Sequence, residues 1–262
     1  MNRRGFTVLE MLAAIGIAAV TLVILASAAR SQGRSAIFQM GSADMQQNVR
    51  GALDLFTREV RMAGYGLAAV PTTTLAPIVV LPPGGDAYAV RLRGNYGNVK
   101  STGSTAAAGA LLVTLDPTAP RPLFRPGEQL AIESLILGTA EVRTIAGYNS
   151  GTGVITLSAA LGQVYEAGSP VNQIDTLDYR LDGAGVLWRG NDPMADQLNV
   201  LQLAYVLADG TTVADPAANL DTLRAATVRM HAQKPLLNGL QPQAEFGTEV
   251  RIRNLGIAAE AS

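Results

Sequence analysis

Arg3-Arg4-Gly5-Phe6-Thr7-Val8-Leu9-Glu10-Met11 leads into an apolar run that ends only at Ala29. From Phe6 to Ala29 there are 24 residues, and Glu10 is their single charge. As a helix, such a run is about 36 Å long, enough to cross a hydrocarbon core of roughly 30 Å. Arg3, Arg4 and the terminal amine precede it, and Arg30 and Arg34 follow. The short basic head favours a cytoplasmic start with the remainder of the chain across the membrane, an asymmetry softened by the basic far flank. A carboxylate on a lipid-facing helix costs about 2.5–3.5 kcal/mol at mid-bilayer and less near the interface. Glu10 therefore calls for a cationic partner in the membrane or in an assembly. Cleavage after Gly5 would create one. The new amine of Phe6 would lie four residues, about one helical turn, before Glu10 of the same chain, and equally within reach of a neighbour's.

Helical character extends beyond the apolar run. No proline occurs between Met1 and Val70. Phe38, Met45, Val49, Leu53, Phe56 and Val60 recur at steps of 7, 4, 4, 3 and 4, which is one helical face. Gln46, Gln47, Arg50, Asp54, Arg58 and Glu59 fall largely off it. One helix over roughly 6–63 is predicted, its first half in membrane or filament core and its second docked on a globular head. Gly64 and Gly66 suit its C-terminal cap. Gly16, Gly33, Gly41 and Gly51 each cost up to about 1 kcal/mol relative to alanine. They fit local bending or close packing.

Composition narrows the remaining possibilities. The 262 residues suit one or two domains, and 48% hydrophobic against 16% charged residues excludes a disordered chain. The net charge of -1 gives no basic excess for nucleic acid. There are no cysteines, so disulfides, thiolate metal sites and cysteine nucleophiles are excluded. The single histidine, His231, excludes a histidine-rich metal site.

From Pro71 onward, turn signals become frequent and apolar runs shorten to strand length. Strands are expected at 76–81, 88–92, 110–115, 128–133, 140–146, 154–157 and 170–173. Residues 94–109, rich in Gly, Ser, Thr, Asn and Ala, read as a flexible loop, and 117–126 with its four prolines as irregular chain. Asn149-Ser150-Gly151 supplies one hairpin turn. Asp182-Gly183 between 177–181 and 186–189, and Asp209-Gly210 between 201–207 and 211–213, supply two more. A short linking or helical segment at 218–223 and strands at 225–231 and 249–255 close the chain.

No catalytic constellation emerges, so no enzyme, no cofactor and no metal site is expected. His231 lies in a strand-like run, and no serine near it has a nucleophile-elbow context. Asp192, Asp196, Asp215 and Asp221 lack the spacing of an EF-hand loop and read as turn or cap residues. Trp188 reads as strand-edge packing. Neither a dinucleotide fingerprint nor a phosphate-binding loop is present.

Residues 3–11 resemble the class III signal of type IV prepilins and pseudopilins, with Gly5, Phe6 and Glu10 each on the family's positions. The resemblance implies that a prepilin peptidase cuts after Gly5 and methylates Phe6, and that Glu10 meets the amine of an adjacent subunit. Leu53 to Gly66 resembles the end of the long helix in minor pilins of the PilW type. The order 178–189, 201–205, 223–230 and 251–254 is similar to their C-terminal half. Members often carry a cysteine after the helix; here there is none, so packing alone must hold the head. The implied fold is α+β and type IV pilin-like. It comprises a leader at 1–5, a membrane or filament-core half-helix at 6–29 and a soluble half-helix at 30–66. An elaborated β module at 67–175 and a C-terminal β part of the head at 176–262 follow. The implied role is a minor pilin, held in the inner membrane by a single pass with its head outside the cytoplasm. Its partners would be other pilins, the prepilin peptidase and the pilus or secretion assembly machinery, with assembly into a pilus or pseudopilus. J-type pseudopilins of type II secretion share this plan. Two further N-terminal signals use the same residues. A twin-arginine export signal cut after Ala28, at Ala26-Ser27-Ala28, would release a soluble binding protein, and a plain signal anchor would retain the helix. Neither accounts for Glu10.

Overall fold

The computed structural model describes residues 8–67, 75–82, 84–236, 239 and 241–252. The fold is α+β: one long N-terminal helix followed by mostly antiparallel β structure. Helix α1, Val8–Met62, is unbroken over 55 residues, in agreement with the anticipated 6–63 as far as residues are described; Phe6 and Thr7 lie outside them. Met45, Val49, Leu53, Phe56 and Val60 are all buried, as their spacing requires, whereas Phe38 at the head of that series is 37% exposed. Nothing within the chain lies within 4 Å of a Cβ placed at Gly16, Gly33 or Gly51. Gly64 and Gly66 adopt φ of 81° and 76°, the left-handed conformation that ends helices. Gly94 lets this end approach a strand, since a Cβ there would sit 3.0 Å from the Met62 carbonyl oxygen.

The chain divides into two compact units, Met1–Gln47 with Gln233–Ala244, and Asn48–Ala232 with Glu245–Ser262. In the first, Lys234 pairs with Asp44 at 2.7 Å. The Leu236 side chain lies 3.1 Å from where a Gly41 Cβ would stand, so this glycine does serve close packing.

The second unit holds a large sheet and most of a small one. The strands of the large sheet are β1 (Ile78–Val80), β2 (Tyr88–Gly94), β3 (Lys100–Thr102), β4 (Leu112–Thr114), β5 (Gln129–Glu133), β6 (Ala140–Asn149), β7 (Val154–Leu157), β8 (Pro170–Leu181), β9 (Leu187–Arg189) and β10 (Asp192–Ala195). Their main order is β1-β2-β8-β5-β6-β7-β4, with β3 and β9 also on β8, and β10 on β9. The twelve residues of β8 make it the spine: its start pairs with β3 and β5, its end with β2 and β9. Alternation along β5 separates two cores. Leu130 and Ile132 face a cluster with Val113, Leu115, Phe124, Ile145, Ile155, Leu157, Tyr165 and Val171. Ala131, on the other face, packs with Leu67 and Ile174. The proline-rich stretch is irregular but not idle: it seats Phe124 edge-on against Tyr148, with ring centroids 5.4 Å apart.

The small sheet has the order β12-β11-β13-β14, with β11 (Leu198–Leu207), β12 (Thr212–Val213), β13 (Leu223–Gln233) and β14 (Gln243–Arg251). A 3-10 turn at Leu220–Thr222 lies in the linking segment anticipated at 218–223. Three local expectations differ from the structure, and strand β10 forms in a stretch with no expected element. Residues 94–109 contain β3, held by pairing with β8 rather than by any apolar pattern of its own. The segments 170–173 and 177–181 are one strand, running unbroken through residues 175 and 176. Strand β10 forms despite Pro193, next to a register shift where a missing amide is tolerated. β14 starts at Gln243 rather than Glu249, and residues 253–255 lie outside the described residues.

Candidate functional site

Gly5 and Phe6 lie outside the described residues; Glu10 stands exposed in the first turn of α1. The apolar side chains that follow are uncovered: Leu9 is 77% exposed, Ile17 70% and Val23 69%. The most apolar 18 residues of α1 have a mean hydropathy of 2.5, and none is buried. This helix is therefore long and apolar enough to cross a membrane, and its apolar surface is uncovered within the chain. Within it, the Thr21 and Ser27 hydroxyls donate to the carbonyls of Ile17 and Ile24, so neither proton faces apolar surroundings unpaired.

A second polar site lies where the end of α1 packs on the large sheet. Glu59 is 3% exposed, although the helical pattern placed it off the apolar face. Arg189 on β9 grips it as a fork, Nη2 to Oε1 at 2.8 Å and Nε to Oε2 at 3.1 Å. The Tyr179 hydroxyl on β8 donates to Oε2. Burial first, then this bond to Glu59, push the Tyr179 phenol well above its ordinary range, so it remains a donor at every physiological pH. The bond to Glu59 likewise raises the Arg189 guanidinium. Phe56, one turn before Glu59, meets the Tyr179 ring edge-on at 4.6 Å. A cleft of about 570 Å³ opens beside this knot, lined by Arg58, Glu59, Tyr96, Asp175, Thr176 and Arg189 among others. Its charges are largely spent internally: Glu59 on Arg189, and Asp175 on the Gly97 amide at 2.9 Å. The Tyr96 hydroxyl has no hydrogen-bond partner among the described residues, but it is sealed from solvent. The arrangement can lock helix to sheet; it assembles no nucleophile with a base and no metal ligand set.

The other singled-out residues are dispersed. His231 Nδ1 meets Asn199 Oδ1 at 2.5 Å across β13 and β11. Asp196 accepts from Asn48 at 2.6 Å, and Asp215 accepts the Ala217 amide at 3.0 Å. Asp192 opens β10 and Asp221 lies in the 3-10 turn. Trp188 packs under the Arg180 guanidinium, 4.8 Å from the ring centroid, and donates its indole N–H to Asp182 at 2.7 Å. That bond, with the Val186 amide, holds the Asp182 carboxyl below the usual range. Asp182 thus anchors the β8–β9 hairpin, whose loop runs over 182–186 rather than the anticipated 182–185. The loop needs Gly185: its φ is +81°, and a Cβ there would fall 2.6 Å from the Leu198 carbonyl oxygen. Among the described residues no three His, Asp or Glu side chains gather as a metal site. No protein-family model, curated protein or solved structure matches this chain.

Proposed function

We propose that this protein is a minor type IV pilin of the PilW type, made as a membrane-anchored precursor. The observation that carries the proposal is Glu10. It is one carboxylate in an otherwise uncharged run, four residues after the Phe6 that would become the N-terminus. The uncovered helix supports anchoring: 18 consecutive apolar-rich residues, none buried, suit a single pass of the inner membrane. The basic start of the chain supports a head outside the cytoplasm. Removal of residues 1–5 would free the Phe6 amine. On extraction, helix–helix contacts would replace lipid contacts of similar apolarity, so packing and the ion pair between Glu10 and a neighbour's amine would set register. The head, with its large sheet and long loops, suits a low-copy subunit better than a tightly tiled one.

Glu10→Ala tests this directly. Precursor processing is expected to continue, because the cut site is untouched. Incorporation into filaments is expected to fall about tenfold or more, since the incoming amine would be buried without its counter-charge. Purified filaments probed for the protein read the effect. Incorporation at the parental level would remove the proposed role of Glu10.

A further inference from the structure

The hairpin joining β5 to β6 carries Leu135, Ile136 and Leu137 at its tip, 56%, 76% and 58% exposed. Three consecutive large aliphatic side chains in water are costly to solubility, and here they are held out by a built support. Ser134, fully buried, receives the Leu137 amide on its hydroxyl at 3.2 Å and the Gly138 amide on its carbonyl at 3.0 Å. Glu166 accepts the Leu135 amide at 3.2 Å and the Ser134 hydroxyl. Thr139 bonds Gln163, tying the tip to the neighbouring segment, on which Val164 is 51% exposed. The apolar tip is thus a rigid convex projection that loses little entropy on docking.

We propose that this tip inserts into a concave apolar pocket of a protein partner whose rim carries arginine or lysine. Charge selects that occupant. Near the tip stand Glu133, Glu141 and Glu166. The cation among them is Arg143, which is clamped to Glu141. A net acidic collar disfavours an anionic bilayer, which basic flanks would be needed to approach. It complements a basic rim, which would speed encounter and fix orientation.

The test places the photoreactive residue benzoylphenylalanine at Ile136 of the full-length chain in its native host, with the same residue at Asp209 as a control. A discrete protein adduct specific to position 136 is expected, its cross-linked peptide lying in an apolar pocket bordered by Arg or Lys. The double substitution Leu135→Asn and Leu137→Asn, at exposed positions that leave Ser134 and Glu166 intact, is expected to reduce the adduct about tenfold or more. Added salt is expected to reduce it in the parental chain. A thermal unfolding profile unchanged by the double substitution establishes that the loss is one of contact. The proposal is overturned by adducts to lipid alone, by yields equal to the Asp209 control, by insensitivity to the double substitution or to salt, or by a contact peptide without basic residues.

Discussion

Glu59→Ala is expected to lower the unfolding free energy of the head by about 2–4 kcal/mol. Glu59 is almost wholly buried, and its two oxygens take three donated hydrogen bonds, two from Arg189 and one from Tyr179. Truncation strands both partners. The Tyr179 hydroxyl loses its acceptor in the core, and the guanidinium loses its counter-charge. Removing one member of a buried pair commonly costs about 3–5 kcal/mol. The expectation here is set somewhat lower, because the Arg189 side chain is 32% exposed and can recover part of its hydration. The single tryptophan, Trp188, adjoins Arg189, so its fluorescence reports urea unfolding of the full-length chain from within the affected strand. A companion variant identifies the cause. Replacing all three polar groups, as Glu59→Met, Arg189→Met and Tyr179→Phe, leaves none of them stranded and is expected to be more stable than Glu59→Ala alone. The reverse order would show that the knot stabilises the fold outright and is not a cost met by mutual satisfaction.

Gly5→Trp is expected to abolish removal of the leader. Gly5 would precede the proposed cut, and the absence of a side chain there would let a peptidase approach the backbone closely on both sides. An indole at that position would block the approach. The chain would then keep residues 1–5, its apolar helix unchanged, and the Phe6 nitrogen would remain an amide with no charge to offer Glu10. Both the mass of the protein in membranes and its amount in filaments report this. Accumulation of the uncleaved chain, with no detectable filament form, is the expected outcome. Continued cleavage between residues 5 and 6 would contradict the assigned site.

What could be read in the sequence was what repeats locally. The helix was legible through to its C-terminal end because its apolar positions, its lack of proline and its terminal Gly64 and Gly66 agree with one another. The hairpins closed by Asp182 and Asp209 were legible because aspartate, followed by glycine, carries turn chemistry within a few residues. Strand β3 was not, because a short run of Lys-Ser-Thr becomes a strand only once β8 offers it a partner 70 residues later. Strand β8 itself looked like two segments. Its middle, Ile174-Asp175-Thr176, mixes apolar and polar residues where the strand changes neighbours from β5 to β2. Glu59 was the most instructive miss. On a helical wheel it is a charged residue beside Val60, and nothing local reveals that Arg189, 130 residues on, turns that charge inward. The N-terminal segment is the opposite case. Gly5, Phe6 and Glu10 take their meaning from residue type and spacing, which the sequence displays directly.

Processing of the chain as a prepilin would leave its mark on the N-terminus of the mature protein. Intact mass and terminal peptide sequencing of the protein from its native host are predicted to give a chain beginning at N-methylated Phe6. A chain beginning near Ser27 to Arg30, or one retaining Met1 in the membrane, would contradict it.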